Sequence, residues 1–391
     1  MNEFVTEADI WDVAVIGAGP AGATAAREAA LAGSRVILLE RATLPRYKTC
    51  GGGLINASMR TLPDGLALTP RARVRSFSFS FDGKREKTRT WSEPLLTLVM
   101  RDEFDAALVD RATAAGATLS EATTVLKIAE DSDLVRLSIR EHGDILARIV
   151  VGADGSAGRS SAYVGVTFRQ VDLGLEAEIP TPPEQMAAWE DRILIDFGHG
   201  PGSYGWVFAK GDVLSVGVIA ARGDADATRA YLAEFTERLG VAGIEPRIST
   251  GHLTRCREQR SPLAKGRVLV AGDAAGLLEP WTREGISFAL RSGRHAGQAA
   301  AVAAAAATTA ETSTAVAGYT DAIKAELEPE MLAGQAFLEA FIRHPALFHW
   351  VVAQVPAAWR LTVRMVAGQT TFADAYRNRI IRLMLAGLNR W

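Results

Sequence analysis

The feature that most constrains this chain is a run of six residues, Gly17-Ala18-Gly19-Pro20-Ala21-Gly22, which fits the pattern G-x-G-x-x-G. Alone, that pattern is weak. Its setting makes it specific. Residues 12–17 (DVAVIG) are short, β-branched and closed by glycine, which predicts a buried parallel strand. Residues 20–32 are rich in alanine and stop at Gly33, which predicts a helix with a glycine terminator. Residues 35–40 (RVILLE) predict a second buried strand that ends on Glu40. In this order each part has a physical task. Gly17 permits the tight turn, Gly19 lets a pyrophosphate approach the backbone, and Gly22 lets helix pack on strand. The helix start offers unpaired N–H groups and a positive dipole end to phosphate. Glu40 is placed to accept hydrogen bonds from a ribose diol. The fingerprint does not separate one dinucleotide from another.

The rest of the chain says how this unit is embedded. At 391 residues it is too long for one small core, so two structural units, or one domain with a large insertion, are expected. A formal net charge of -2 argues against a nucleic-acid partner, because phosphate binding asks for a basic surface. Cys50 and Cys256 are the only cysteines, which is no disulfide framework and fits a reducing, cytoplasmic location. The first twelve residues, MNEFVTEADIWD, lack the basic start and apolar run of a signal peptide. No residue is assigned to a metal.

Residues 73–81 (RVRSFSFSF) alternate strictly and predict a strand with one wet face. Further strands are expected at 96–100, 133–139, 146–152, 193–197, 204–208 and 213–220. Helices are expected at 102–115, at about 228–239, after Gly285, and almost continuously from about residue 320.

Two later segments share the logic of the first. Val150-Val151-Gly152-Ala153-Asp154-Gly155-Ser156 is an apolar run that brings a carboxylate to a glycine turn. Arg267-Val268-Leu269-Val270-Ala271-Gly272-Asp273-Ala274-Ala275-Gly276 repeats that design, and Glu284-Gly285-Ile286 then opens a helix. Asp273 is placed to hold a ribitol hydroxyl, and the N–H groups near Gly285 to face an electron-rich ring edge. The expected fold class is therefore α/β: a Rossmann-type dinucleotide domain in discontinuous segments, an inserted substrate domain with a mixed or antiparallel sheet, and a helical C-terminal region. The boundaries expected are 1–72, 102–160 and 250–305 for the first, 73–101 and 161–249 for the second, and 306–391 for the third.

Taken together, these segments resemble the FAD-dependent oxidoreductases of the aromatic-hydroxylase-like superfamily, and within it the geranylgeranyl reductase family. Four local features carry the likeness. Pro45-Arg46-Tyr47-Lys48-Thr49-Cys50-Gly51-Gly52-Gly53 resembles the family's Pro-x-x-Lys-x-Cys-Gly-Gly segment. Met100-Arg101-Asp102-Glu103-Phe104-Asp105 resembles the strand end and helix start that carry its flavin-contacting arginine. Asp273 through Ser292 resembles its Gly-Asp-Ala-Ala-Gly…Glu-Gly-Ile…Ser-Gly segment. Tyr204-Gly205-Trp206-Val207-Phe208 resembles its Tyr-x-Trp-x-Phe-Pro motif, with Ala209 where the family has proline.

The resemblance implies FAD as cofactor, held by Gly17, Ala18, Gly19, Ala21, Gly22, Glu40 and Arg41. Arg101, Val125, Asp273, Gly285 and Ile286 complete the site, and Cys50, Gly51, Gly52 and Gly53 lie beside the flavin ring. It implies an activity as well: saturation of isolated double bonds in a geranylgeranyl or other prenyl chain, by hydride from reduced flavin plus a proton. Tyr204, Trp206 and Phe208 alternate, so all three share one strand face and are the candidate substrate wall. Cys50 is the candidate catalytic residue, as proton donor or in flavin reduction; the competing reading is a small residue packed under the ring.

The electron donor is expected to be NAD(P)H or reduced ferredoxin. The alternative function on the same fold is an FAD monooxygenase or halogenase acting on an aromatic or carrier-bound substrate. The Trp-x-Trp-x-Ile-Pro motif expected of halogenases is absent from the sequence. Apolar residues from Phe337 to Val352, followed by Arg377, Arg379, Arg382 and Arg390, raise two readings: a helical cap on the substrate domain, or peripheral contact with the inner face of a membrane. Oligomeric state has no signature in the sequence.

Overall fold

The protein is described from a computed structural model that covers residues 10–131, 133–140, 143–223 and 225–389. The acidic N-terminal residues 1–9 and Arg390 lie outside the described residues.

The glycine fingerprint folds as expected. Strand Ile10–Ile16 runs into helix Pro20–Leu31 and then strand Val36–Leu39. Strand Ile10–Ile16 lies between Val36–Leu39 and Ile145–Gly152, parallel to both. Strand Val268–Val270 adds in parallel beyond Ile145–Gly152. So the Gly-Ala-Asp-Gly and Gly-Asp segments end on strands of the same sheet as the fingerprint. Helices Pro20–Leu31 and Ile286–Ala305 pack face to face through glycine: a Cβ on Gly293 or Gly297 would sit 2.3 Å from the carbonyl oxygen of Ala21 or Ala25. The central strand residues are buried on both sides, which is the environment a continuous β-branched run predicts.

A second sheet has seven strands in the order Ile248–Arg257, Phe168–Pro180, Val213–Ala221, Tyr204–Lys210, Arg192–Phe197, Ser76–Phe81, Lys84–Thr90. It is antiparallel except between Arg192–Phe197 and Ser76–Phe81. One face turns to helix Ala225–Arg238, with Val207, Val216, Val218, Tyr231 and Phe235 forming a core. The other face carries Phe77, Phe79, Ile193 and Phe197 towards the C-terminal helices, where Phe341, Phe348 and Trp359 meet them. A third, small sheet is formed by Gly53–Ile55, Leu96–Leu98 and Ala72–Val74.

One expectation needs correction. The serine face of Ser76–Phe81 is not wet: Ser78 and Ser80 are buried. Ser80 Oγ donates to Asp196 at 2.5 Å, and Arg238 of the covering helix reaches the same carboxylate at 3.4 Å. Buried hydrogen bonds, not water, satisfy that face. The C-terminal apolar residues are divided. Leu338, Phe341 and Phe348 are core, whereas Leu347 and Trp350 are exposed. The helices therefore cap the second sheet. Among the described residues no helix is long and apolar enough to cross a membrane.

Candidate active site

Strand ends from both large sheets, the Cys50 segment and the C-terminal helices enclose one continuous cavity of about 1510 Å³. That exceeds the ~300–1,000 Å³ usual for a single small ligand, so it has room for a dinucleotide and a second molecule.

Its first wall is the fingerprint. Gly17 has a positive φ of 97°, and a Cβ there would lie 2.4 Å from the carbonyl oxygen of Ala153, in the Gly-Ala-Asp-Gly turn. A Cβ on Gly22 would sit 1.8 Å from the carbonyl oxygen of Gly17. Gly19, by contrast, faces open space, with only the Arg46 guanidinium near. Helix Pro20–Leu31 has no side-chain cap and begins on proline, so the amides of Ala21 and Gly22 precede the first i−4 acceptor. This is a cradle shaped for a pyrophosphate. Gly17, Gly19, Ala21, Glu40, Arg41, Arg101, Val125, Asp273, Gly285, Ile286 and the Cys50–Gly53 segment all line the cavity. Ala18 and Gly22 lie beneath the loop instead. The Ala18 amide donates to Glu40 Oε2 at 2.9 Å, the Ala42 amide to Glu40 Oε1 at 3.1 Å, and Arg46 Nε stands 3.3 Å from Oε2. Glu40 is thus fixed from three sides, with lone pairs left for a diol.

Arg101 is held by a two-pronged pair to Asp105, at 2.9 Å for each contact. Burial works against its charge, but Asp105 and the Cys50 sulfur hold its pKa above the ordinary range. The Gly52 amide donates to Cys50 Sγ at 3.4 Å. The glycines after Cys50 have a steric reason. A Cβ on Gly52 would meet the Val99 carbonyl oxygen at 2.2 Å, and one on Gly51 would lie 2.6 Å from the Phe208 ring and 3.3 Å from Trp206 Nε1. The segment therefore rests directly on the aromatic strand.

Sequence reasoning missed His252, whose Nε2 stands 3.5 Å from Asp273 Oδ2. Burial raises the Asp273 carboxyl, but the His252 contact and the Lys48 charge outweigh it and leave the pKa below the usual range. Burial in turn lowers the Lys48 ammonium. His252 lies in Ile248–Arg257 (ISTGHLTRCR), which has no clear alternation, so nothing in the sequence marked it. Asp154 is a structural anchor: its carboxylate takes the Arg159 amide at 2.6 Å and the Ser160 hydroxyl. Cys256 is buried, its thiol donating to the Leu278 carbonyl oxygen at 3.7 Å.

Tyr204, Trp206 and Phe208 share one face, as their alternation predicts, and are half-buried along the cavity, whereas Gly205, Val207 and Ala209 face the covering helix and are buried. The three are not equivalent. The Tyr204 hydroxyl donates to the Thr282 carbonyl at 2.6 Å, and the Arg283 guanidinium already lies over its ring at 5.6 Å. Phe208 supports Gly51 and Gly53. Trp206 lies against Gly217, and its Nε1 is buried without a hydrogen-bond partner. At Ala209 the strand runs on to Lys210, in register with Leu214 and Val213.

Comparison with known proteins fits this geometry. The FAD binding domain family matches residues 11–314. A digeranylgeranylglycerophospholipid reductase from Methanoculleus marisnigri is 31% identical over 317 residues, covering 74% of this chain and 76% of that one. A geranylgeranyl diphosphate reductase from Rhodobacter capsulatus is 29% identical over 329 residues, covering 79% and 80%. A menaquinone reductase from Mycolicibacterium smegmatis is 30% identical over 311 residues, covering 73% and 75%. Among solved structures, a geranylgeranyl bacteriochlorophyll reductase-like protein from Thermoplasma acidophilum superposes with a TM-score of 0.75 at 22% identity, over 97% of this chain and 99% of that one. A flavin-dependent brominase shares the fold, with a TM-score of 0.73 at 18% identity and coverage of 97% and 99%. The chain belongs to the geranylgeranyl reductase family of FAD-dependent oxidoreductases.

Proposed function

We propose that this oxidoreductase saturates isolated C=C bonds of a geranylgeranyl or other prenyl chain. The observation that carries the reading is the single cavity that joins the glycine cradle to an apolar wall formed by Phe77, Phe79, Ile193, Ile195, Trp206 and Phe208. An isolated alkene is unpolarised, so one carbon must gain a proton as the other gains hydride, and positive charge builds on the tertiary carbon. Reduced FAD supplies the hydride. Gly17, Gly19 and Ala21 offer the pyrophosphate their backbone, and Glu40 and Arg41 take the ribose end. Arg101, Val125, Asp273, Gly285, Ile286 and the Cys50–Gly53 segment frame the ring. The Trp206 face stabilises the developing cation, worth ~0.5–2 kcal/mol in a desolvated site. The C-terminal helices exclude water.

In this reading 1–72, 102–160 and 250–305 hold the cofactor and 73–101 with 161–249 hold the substrate; strand Ile248–Arg257, at the boundary, pairs in the second sheet. Cys50 acts on the cofactor side; full turnover with full FAD content in Cys50→Ala removes that role. NAD(P)H or reduced ferredoxin supplies electrons, and bleaching of the flavin by one and not the other identifies the donor.

Peripheral membrane contact belongs to the same reading. Ile380, Leu383 and Met384 are 70%, 62% and 61% exposed on helix Arg379–Leu388, beside exposed Arg379 and Arg382. This is the apolar stripe with basic flank of an interfacial helix. Removing the chain from Leu347 onward would strip Phe348 and Trp359 from the core, so surface substitution is the cleaner test. Triple replacement of Ile380, Leu383 and Met384 by Glu abolishes sedimentation with anionic vesicles; unchanged sedimentation removes the contact.

The test of the activity is anaerobic: photoreduced holoenzyme is mixed with geranylgeranyl diphosphate or a prenylated quinone, and products are weighed by mass spectrometry. A gain of two hydrogens per double bond supports the proposal. Product formed only with oxygen, hydroxylated or halogenated, gives the site to the monooxygenase and halogenase reading that the brominase fold also accommodates.

A further inference from the structure

The cavity wall holds a buried acid that the sequence did not point to. Glu176 lies on strand Phe168–Pro180, in register with Gly217, and Gly217 is in register with Trp206. Residues directly opposite across a sheet share a face, so Glu176 and Trp206 stand on the cavity side with only a glycine between them. The indole fills that gap: a Cβ on Gly217 would lie 2.0 Å from it. On its other flank Glu176 is in register with Thr250, whose Oγ1 is 2.8 Å from Thr49 Oγ1. The segment leading to Cys50 is therefore tied to the sheet at the same row.

Glu176 is fully buried and lines the cavity. The Ser215 hydroxyl donates to its Oε1 at 2.5 Å, whereas Oε2 has no hydrogen-bond partner. Three ionisable groups meet here out of water. Lys210, with 1% of its side chain exposed, stands 3.0 Å from Glu178 Oε1 and 3.7 Å from Glu176 Oε1. One ammonium cannot neutralise two buried carboxylates, so one of them keeps a proton. The shorter contact belongs to Glu178, which leaves the proton on Glu176. Burial pushes the Glu176 carboxyl up, against the pull of Lys210, Ser215 and the Cys50 backbone N–H, and the Glu178 charge adds to the rise. Two further titratable groups stand close by: Cys50, and the Tyr47 phenol, itself pushed up by burial and by both glutamates.

We infer that Glu176 is the acid that protonates the alkene, from its place on the cavity wall one glycine away from Trp206. The inference rests on the prenyl-reductase reading. In the step the O–H bond of Glu176 breaks and a C–H bond forms at one alkene carbon. The other carbon takes hydride from the reduced cofactor, which is oxidised by two electrons as the alkene is reduced by two. The carboxylate left behind keeps the Ser215 hydrogen bond and the Lys210 charge, and takes a new proton from solvent when product leaves. Cys50 is then free of the proton-donor role.

The test pairs a readout without turnover with one that needs it. Infrared difference spectra of wild type against Glu176→Gln must show a protonated-carboxyl carbonyl band in wild type that the variant lacks, both proteins holding equal FAD. In anaerobic single turnover with prenyl substrate, flavin reoxidation in Glu176→Gln slows by ~100-fold or more, while chemical reduction of its flavin is unchanged. In wild type the same rate falls as pH rises and the acid ionises. A missing band, or reoxidation within about threefold of wild type, a loss far below that expected of a general acid, overturns the role of Glu176. A wild type that reduces no prenyl substrate overturns the underlying reading instead. Should Glu176→Gln not fold, Ser215→Ala removes a hydrogen bond to the same carboxyl and must move the band; an unmoved band rejects the assignment.

Discussion

The two large sheets present opposite chemistry to the same cavity. In the first, the strands at the fingerprint are apolar where they meet the site, and the pyrophosphate cradle above them is made of backbone: glycines at Gly17 and Gly19, an uncapped helix start, and amides that grip Glu40. In the second, the strands bury Asp172, Glu176, Glu178, Asp196 and Lys210, and the site is made of side chains. A cofactor that is the same in every turnover can be held by backbone geometry, which tolerates no side chain at the turn. A substrate that must be protonated needs groups of chosen acidity, and these exist only as side chains in a dry wall. The division of labour makes the first sheet sensitive to any added atom and the second sensitive to charge.

The largest effect is expected on the cofactor side. Gly22→Ala places a Cβ 1.8 Å from the Gly17 carbonyl oxygen, a backbone clash that cannot be relieved by a rotamer. It should cost at least ~3 kcal/mol and leave the protein without FAD; absorbance at the flavin band after purification checks it. Next is the contact between the two regions. Gly51→Ala drives a methyl to 2.6 Å from the Phe208 ring. With overpacking of ~1–3 kcal/mol, turnover should fall about tenfold or more while FAD is retained. A variant that loses FAD in proportion to turnover would mean that Gly51 serves only the cofactor.

On the substrate side, Trp206→Leu keeps the wall apolar but removes the π face. Its single-turnover rate should drop by roughly 2- to 30-fold, the equivalent of ~0.5–2 kcal/mol. Tyr204→Leu should cost less, because Arg283 already occupies that ring. Equal losses at the two positions would break the distinction drawn between them.

The last effect is read in stability. Burial pushes the Glu284 carboxyl from 4.5 to about 7, against its hydrogen bond from the Ser287 amide. A raised folded value means that the native state holds the proton more tightly. That stabilisation is complete below 4.5 and is lost as pH rises through about 7. Glu284→Gln keeps the neutral form, so the variant should match wild type near pH 4 and exceed it near pH 8 by up to ~3 kcal/mol at constant FAD. Parallel melting curves at both pH values would contradict this.

The same contrast explains what could be read from the sequence. Val13–Ile16, Val36–Leu39 and Val268–Val270 were legible because burial on both sides demands unbroken apolar runs, and the glycines between them have few other uses. Phe168–Pro180 was not. Its Asp172, Glu176 and Glu178 look solvated in a sequence, yet all three are buried, because Arg283, Lys210 and Ser215 reach them from elsewhere in the chain. Ser78 and Ser80 misled for the same reason. His252 and Lys48 reach Asp273 from strands and loops far apart in sequence, a convergence no local pattern records. The aromatic triplet was legible in its direction, by alternation, but not in the separate partners that make Trp206 its free member.

The central claim is that apolar wall and glycine cradle serve one reaction, the two-electron saturation of a prenyl double bond. The most direct measurement is anaerobic single turnover of the reduced holoenzyme with geranylgeranyl diphosphate or a prenylated quinone in deuterated water. The account predicts flavin reoxidation without oxygen and a product carrying two solvent-derived deuterons per reduced double bond, one from the acid and one from the exchangeable hydride position of the reduced flavin. Reoxidation that requires oxygen, or product with no solvent deuteron on carbon, would contradict it.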